Sequence, residues 1–233
     1  MADDLTAQRK KFLLLRYVKR RNAKNPQHVI RIPEGFDIQT ARIGEPAREL
    51  VKNMQRMTGL TETGRFDRET MKKLLPVGVR GEVMAFVHAE LGTHEWPPGT
   101  NLGEVVKYLN AVGLGGGYPW CAAFSTYCLK KIGFKHFPPN PASADSWGRW
   151  AKQKGITKNK GLSTLGDLWC WEWGNSDGML DHIGFCDEGI KGNVAYFVDG
   201  NVGAYGGTVT DSSRYAGQIA VVIDLVKLHD LKG

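Results

Sequence analysis

Apolar residues recur at helical spacing in the middle of the chain. Between Cys121 and Ile132 they stand three and four positions apart, and Gly133 follows as a typical helix end. Because the glycine- and proline-rich segment 115–119 comes just before, we predict that the helix begins at Cys121. The thiol would then lie in the first turn, where the helix dipole and unpaired backbone N–H groups favour the thiolate, which is the nucleophilic form.

Strand-like stretches follow in the second half of the chain and predict an antiparallel hairpin over residues 181–199. If Asp187 faces Val194 across the turn, His182 lies opposite Asp199 and both side chains emerge on one face. An imidazole with an acceptor at its second nitrogen has a fixed tautomer and can act as the base for a nucleophile. A one-residue slip of this register would separate the two side chains.

A second helix is predicted ahead of the thiol-bearing one, over Asn101–Leu114. Its inward-facing positions would be Leu102, Val105, Val106, Leu109 and Val112. Farther along, three tryptophans alternate along a predicted strand and so project to one face: Trp169, Trp171 and Trp173. Such a stripe can stack on glycan rings or form core, and we favour core because indole rings bury large areas.

The first third of the chain carries helical patterns without strand signals. One predicted helix covers residues 47–57, and a second begins with Asp67 as its N-cap and ends before Pro76. Mixed helix and strand signals follow. This change predicts two domains, a small all-α domain over residues 1–78 and an α+β domain over residues 79–233.

Composition and charge narrow the class of protein. The 233 residues are 42% hydrophobic and 24% charged, which suits a globular chain with one good core and a second small one. Residues 1–80 carry a charge balance of +9 and residues 81–233 a balance of −2. A basic surface attracts polyanions without choosing among them, and the alternative is a solvated helix face over residues 5–21. No nucleic-acid-binding module accompanies the charge, so we expect no nucleic-acid partner.

Cysteine spacing and hydropathy indicate the compartment. The four cysteines form no close framework, and two fall in predicted strands, so we expect reduced thiols. No apolar stretch reaches the length of a membrane span, and the apolar run at residues 12–15 is too short for a signal sequence. We therefore expect no membrane insertion, and passage across a membrane would need a separate protein.

Three short motifs, in this order, resemble those of the CHAP family, the cysteine, histidine-dependent amidohydrolases/peptidases. They are Trp-Cys-Ala at residues 120–122, Asp-His-Ile-Gly at 181–184 and Asp-Gly-Asn at 199–201. The resemblance covers roughly residues 81–226. It implies a papain-like fold, with a helix bearing the cysteine packed on an antiparallel sheet, that cuts amide bonds in bacterial peptidoglycan.

The same resemblance implies roles for individual residues. Cys121 would be the nucleophile and His182 the general base and acid. The family often has Glu at the position of Asp199, followed two positions later by Asn. Because Asp is shorter than Glu, the residue that orients the ring stays open between Asp199 and Asn201, and we slightly favour Asn201.

Candidate substrate contacts lie near this motif. Trp120, beside the nucleophile, could form a wall of the cleft, and Tyr118 stands two positions before it. The segment Glu90–Glu95 resembles one that lines the cleft in related lytic enzymes, which makes Glu95 a third candidate. The other three cysteines are expected to be inert core residues.

A second resemblance lies in the N-terminal third and covers about 30 residues. Its pattern consists of Val51, Gln55, Gly59-Leu60, Gly64-Arg65-Phe66-Asp67 and Thr70. This pattern is similar to the small helical peptidoglycan-binding domain found beside many wall hydrolases. The alternative is a helical hairpin that only packs on the catalytic domain.

No cofactor is expected, and zinc and calcium are the two alternatives. Zinc would need closer ligand spacing than the four residues that separate His182 from Cys186. The loop 175–181 resembles a calcium loop in part, and some CHAP relatives bind calcium nearby. Because Trp173 stands where the first acidic ligand would be expected, calcium remains only an alternative.

These resemblances together suggest a phage endolysin that cleaves the peptide stem or the muramoyl-L-Ala linkage and lyses the cell. Such a protein would be a monomer that stays in the host bacterial cytoplasm until a separate membrane-permeabilising protein gives it access to the cell wall. The alternatives are a catalytically inactive wall-binding or virion structural protein, a bacterial wall-remodelling hydrolase and a secreted toxin. The motifs do not separate amidase from endopeptidase action, and they assign no role to residues 22–45.

Overall fold

The computed structural model describes residues 49, 51–52, 55–56, 59–64, 78–173, 177–203 and 207–231. The chain divides into two compact units, Met1–Val77 and Gly78–Gly233. The predicted helices at residues 5–21 and after Asp67, and the unassigned residues 22–45, lie outside the described residues.

The N-terminal unit contains a helix followed by a turn that one glutamine holds. The described positions of the helix predicted at residues 47–57 are all helical. Gln55 is 1% exposed. Its amide nitrogen donates to Thr63 Oγ1 at 2.9 Å, and its amide oxygen accepts from the Gly64 N–H at 2.9 Å. The buried amide therefore fixes the turn at residues 59–64 against the helix.

The second unit is a mixed fold in which helices pack on one antiparallel sheet, as the sequence predicts. Its helices are α1 (Val79–Ala89), α2 (Val106–Asn110), α3 (Cys121–Ile132), α4 (Ala144–Gln153) and α5 (Leu225–His229). Its strands are β1 (Leu168–Trp171), β2 (His182–Lys191), β3 (Val194–Val202), β4 (Thr208–Tyr215) and β5 (Ile219–Ile223). The strand order in the sheet is β4-β3-β2-β1-β5.

Helix α3 begins at Cys121, and the predicted start is confirmed. Gly133 ends it in the left-handed conformation, with φ of 97°, which glycine adopts without steric cost. Its buried face packs on β2 and β3. At Gly200 a Cβ atom would lie 2.5 Å from the Trp120 ring and 3.1 Å from Phe124 Cβ. Helix and sheet thus approach each other as closely as a glycine allows.

The β2–β3 hairpin is present, but its predicted register is wrong by two residues at Asp199 and by four at Val194, which pairs with Lys191 and not with Asp187. Asp199 pairs with Gly184 and not with His182. The ladder also shifts between Cys186 and Gly189, an irregularity that the alternation of apolar residues does not signal. Because side chains alternate with a period of two, a two-residue offset keeps His182 and Asp199 on the same face as diagonal neighbours.

The helix predicted over Asn101–Leu114 is much shorter, since α2 covers only Val106–Asn110. Asn101 and Gly103 have positive φ values of 54° and 78°, which are incompatible with a right-handed helix. Leu102 is 41% exposed as a result, whereas Val105 and Leu109 are fully buried as predicted.

The tryptophan stripe forms core, in agreement with the favoured prediction. Trp169 and Trp171 are fully buried, and their rings lie 5.9 Å apart, edge to face. They pack in a cluster with Cys186, Ala195, Phe197, Ala216, Ile219 and Val222. Trp173, the third member, is only partly buried against this cluster.

A buried aspartate ties α1 to the sheet. Asp167, which is completely buried, lies 2.6 Å from Arg80 Nη1 and 2.8 Å from Lys158 Nζ. Its carboxylate also accepts from the backbone N–H groups of Thr164 and Leu225. Two cations and two amides offset the cost of burying this charge.

None of the described helices is long and apolar enough to cross a membrane.

Candidate active site

Two chain elements start at the candidate nucleophile and base. Cys121 is the first residue of α3, and His182 is the first residue of β2. A side-chain hydrogen bond joins the imidazole to the Cys121 thiol. The structure therefore brings together two residues that are about sixty positions apart in the sequence. Both are largely buried, with exposures of 9% for Cys121 and 4% for His182.

The carboxylate of Asp199 lies on the other side of the imidazole. His182 Nε2 donates to Asp199 Oδ2 at 2.7 Å, which leaves Nδ1 for the thiol. The second oxygen of Asp199 accepts from the hydroxyl of Ser212 in β4 at 2.6 Å. Asp199 is fully buried, so both of its contacts are sheltered from water.

Asn201, which was slightly favoured as the orienting residue, is not in this position. Its φ of 64° is left-handed, so the backbone leaves regular strand geometry two residues after Asp199. The two-residue offset of the hairpin lets the Asp199 carboxylate reach the ring diagonally. The preference for Asn201 is therefore corrected in favour of Asp199.

The surroundings of His182 favour a protonated ring. Burial of the imidazole lowers the pKa of His182, but this is outweighed by the charge of Cys121, the hydrogen bonds to Asp199 and Cys121, and the charge of Asp199. Together these raise the pKa to about 9. At neutral pH the ring is an imidazolium, and a cation beside a thiol stabilises its thiolate form.

The other three cysteines have no such arrangement. Cys128, Cys170 and Cys186 are buried and free, as is Cys121. Burial raises the pKa of the Cys128 and Cys170 thiols, and that of Cys186 to about 12. These three thiols stay protonated and belong to the core.

The start of α3 offers backbone donors next to the thiol. Its N-cap is Trp120, whose side chain makes no capping hydrogen bond to the first turn. The first backbone N–H groups of a helix have no partner within the helix. Together with the helix dipole, they can stabilise negative charge that develops beside Cys121.

The three predicted substrate contacts have different surroundings. Trp120 is fully buried and stacks on Tyr108 with ring centroids 5.4 Å apart, so its predicted place in the cleft wall is wrong. Glu95 is 3% exposed, and its carboxylate accepts from backbone N–H groups of Gly99, Asn101 and Gly207. Glu95 holds loops together and lacks the exposure that a substrate contact needs. Tyr118, at 53% exposure, is accessible.

Sequence reasoning missed two residues beside His182. The Trp173 indole stacks on the imidazole, with centroids 4.8 Å apart and planes inclined by 27°. The Arg214 guanidinium lies over the same indole at 4.1 Å from its centroid. Trp173 stands two positions after Trp171, the last residue of β1, which pairs with His182. The alternation of the three tryptophans predicts the face of the strand on which Trp173 lies. Its contact with His182 depends on the pairing of β1 with β2, which the sequence did not specify.

No group of three or more His, Cys, Asp or Glu side chains that could hold a metal ion occurs among the described residues. In the part of the suspected calcium loop that is described, Asp177 accepts from the Met179 N–H and Asp181 from the Trp173 N–H. These carboxylates hold the loop backbone.

Comparisons with known protein families match two segments of the chain. Residues 113–201 match the CHAP domain, and this segment includes Cys121, His182 and Asp199. Residues 34–74 match the putative peptidoglycan binding domain. No curated protein and no solved structure matches the chain. The chain therefore contains a CHAP domain and, ahead of it in the sequence, a peptidoglycan-binding domain.

Proposed function

We propose that this protein is a thiol-dependent peptidoglycan hydrolase. The observation that carries the proposal is the imidazole of His182, which contacts the Cys121 thiol on one side and the buried carboxylate of Asp199 on the other. A nucleophile, a base and a group that orients the base are the parts that acyl transfer to a thiol requires. The peptidoglycan-binding match supports the bacterial wall as the substrate.

The first half of the reaction forms an acyl-enzyme. The Cys121 thiolate attacks the carbonyl carbon of the scissile amide, and a carbon–sulfur bond forms as the oxygen becomes negative. Backbone N–H groups at the start of α3 stabilise that oxyanion. When the carbon–nitrogen bond breaks, the His182 imidazolium gives its proton to the departing amine. The products are a free amine and a thioester on Cys121.

The second half restores the enzyme with water. Neutral His182 takes a proton from a water molecule, whose oxygen attacks the thioester carbonyl. The carbon–sulfur bond then breaks, a carboxylic acid leaves and loses its own proton to solvent, and protonated His182 re-forms the ion pair with the thiolate. Asp199 holds the ring in one orientation through both halves, because its hydrogen bond occupies Nε2.

The finer biological assignment is also a proposal. The pairing of a wall-binding domain with a hydrolase suits an endolysin of a phage, which lyses the host from within. We propose a monomer without a cofactor, held in the host cytoplasm until a separate permeabilising protein admits it to the wall. The bond cut is an amide of the peptide stem or the muramoyl-L-Ala linkage.

Digestion of purified sacculi tests the proposed function. The full-length protein should release new amino groups, and mass spectrometry of the soluble products should show cleavage at one kind of amide bond. An N-terminal L-Ala on the released peptides indicates the amidase, whereas fragments of the stem or cross-bridge indicate the endopeptidase. Sedimentation with sacculi without any released amine would instead show an inactive wall-binding protein.

A further inference from the structure

The indole beside His182 is fixed from several directions. Its backbone N–H donates to Asp181 Oδ2 at 2.6 Å, and the Arg214 guanidinium covers its ring at 4.1 Å. The Trp171 ring lies 6.4 Å away on the side of the core. Trp173 itself is only partly buried, so burial alone does not explain why it is held in this way.

Arg214, which contacts this indole, lies on the same face of β4 as Ser212, which donates to the Asp199 carboxylate. Arg214 pairs with Ala195, and Ser212 pairs with Phe197, so both β4 side chains emerge on the face that carries Asp199. Ser212 bonds the carboxylate and Arg214 contacts the indole. One face of β4 thus supports Asp199 and Trp173, two of the groups that contact the imidazole of His182.

A stacked indole has a particular effect on a cationic ring. The face of an indole is electron-rich and attracts an imidazolium more strongly than a neutral imidazole. The charged groups around His182 are Cys121 from α3, Asp199 from β3, Asp181 just before β2, and Arg214 from β4, which contacts Trp173. The indole therefore contacts both the Arg214 guanidinium and the His182 ring.

We propose that Trp173, held in place by Arg214, is a positioning residue that keeps the His182 imidazolium aligned between Cys121 and Asp199. This inference rests on the proposed function. It assigns Trp173 an effect on turnover and on the protonation of His182 without direct contact with the reacting atoms. Arg214 acts through Trp173, because its planar guanidinium stacks on the ring in a way that a lysine ammonium does not reproduce.

Two series of full-length variants test the inference. Trp173→Phe keeps an aromatic face, and Trp173→Leu removes it. Arg214→Lys keeps the charge without the planar stack, and Arg214→Gln removes both. Trp150→Phe and Arg56→Gln are matched controls, because Trp150 packs on Trp147 and Arg56 pairs with Glu62 in the N-terminal unit.

The readouts are steady-state kinetics on a soluble muropeptide over a pH series and NMR titration of the His182 ring. Trp173→Leu should lower kcat about tenfold at unchanged KM and lower the pKa of His182 by about 0.5 to 1 pH unit. Trp173→Phe should keep most of both properties. Arg214→Lys should resemble Arg214→Gln in kcat, since stacking matters more than charge, and the controls should resemble wild type.

Unchanged kcat and unchanged titration in Trp173→Leu would overturn the inference. A rise in KM alone would also overturn it, because it would make Trp173 a substrate contact. If Trp173→Leu does not fold, Trp173→Phe and the Arg214 pair carry the same test. Should wild type cleave no wall substrate, the proposed function fails, whereas the His182 titration still decides whether the indole holds the imidazolium.

Discussion

His182 is the residue on which the proposed chemistry depends, because its ring contacts both a thiol and a carboxylate. The pKa of His182 is raised to about 9, above the 6.5 of an ordinary histidine. A thiolate–imidazolium pair that needs the protonated ring is present below that pKa and is lost as pH rises through it. Turnover should therefore decline on the alkaline side near pH 9.

Replacing Asp199 by asparagine tests this electrostatic arrangement. Asp199→Asn removes the charge and the charged hydrogen bond that raise the pKa of His182, so the alkaline limb of kcat/KM should move to lower pH. We expect kcat/KM at neutral pH to fall about 10²-fold, because the ring loses its fixed orientation. A pH–rate series on both proteins measures this effect. An alkaline limb that stays in place would show that Asp199 does not control His182.

The raised pKa of His182 also makes the stability of the fold depend on pH. The folded-state pKa of His182 lies above its unfolded value, so the stabilisation is fully present below about pH 6.5 and is lost as pH rises through about 9. Asp199→Asn should flatten the loss of unfolding free energy between these two pH values. Denaturant titrations of wild type and Asp199→Asn at pH 6 and pH 9 measure this change in unfolding free energy and serve as a control for the kinetic result.

Some of these residues could be predicted from sequence and others could not. A cysteine at a helix start and a histidine at a strand start are local patterns, and both are where they were expected. The contact with Asp199 instead of Asn201 depends on a hairpin register that contains an irregularity. Ser212 and Arg214 lie in β4, and no local pattern in the sequence ties either residue to His182.

At the level of elements, α3 and β3 set the position of the thiol. Gly200→Ala would place a methyl group 2.5 Å from the Trp120 ring, so the start of α3 must move. We expect a loss of about 1–3 kcal/mol in unfolding free energy and at least a tenfold loss of kcat. Gly115→Ala is the control, because its Cβ meets no atom within 4 Å. Equal activity of the two variants would refute this packing account.

The buried ion-pair network should matter for stability and not for chemistry. Asp167→Asn removes the fully buried charge that Arg80 and Lys158 share and leaves them with Asp224 alone, and we expect it to cost about 3 kcal/mol of unfolding free energy. Asp230→Asn, at an exposed pair with His229, should change little. Denaturant unfolding at neutral pH measures both. A change below about 0.5 kcal/mol in Asp167→Asn would mean that the network contributes little net stability.

Elements with strong local signals were predicted better than those without. Helix α3 has apolar periodicity and a clear glycine end, and its limits match the structure. The segment 101–114 has the same periodicity, but the positive φ values of Asn101 and Gly103 keep its first turn from forming. The positive φ of Asn101 cannot be read from the sequence, since asparagine adopts both right-handed and left-handed backbone conformations.

At the scale of the whole molecule, the proposed wall binding and the proposed catalysis belong to different segments of the chain. The matches to the two families do not overlap, covering residues 34–74 and 113–201. The positive charge balance is confined to residues 1–80, which suits attraction to the anionic polymers of a cell wall. Neither the strand order of the sheet nor its irregularities follow from the order of motifs.

Loss of the Gln55 side-chain amide should separate these two activities. Gln55→Leu removes the acceptor of the Gly64 N–H and the donor to Thr63, at a cost of about 1–3 kcal/mol to the turn. Sedimentation with sacculi should weaken severalfold, while turnover of a soluble muropeptide stays at the wild-type rate. Lys52→Arg on the same helix is the control. Undiminished sedimentation of Gln55→Leu would show that this turn is not needed for wall binding.

The central claim is that the Cys121 thiolate performs the attack. Release of amino groups from purified sacculi by wild type, Cys121→Ala and Cys128→Ala tests it most directly, because Cys128 is a buried thiol of the core on the same helix. We predict that Cys121→Ala is slower by about 10³-fold or more and that Cys128→Ala stays within about tenfold of wild type. Release of amino groups by Cys121→Ala at the wild-type rate would contradict the account.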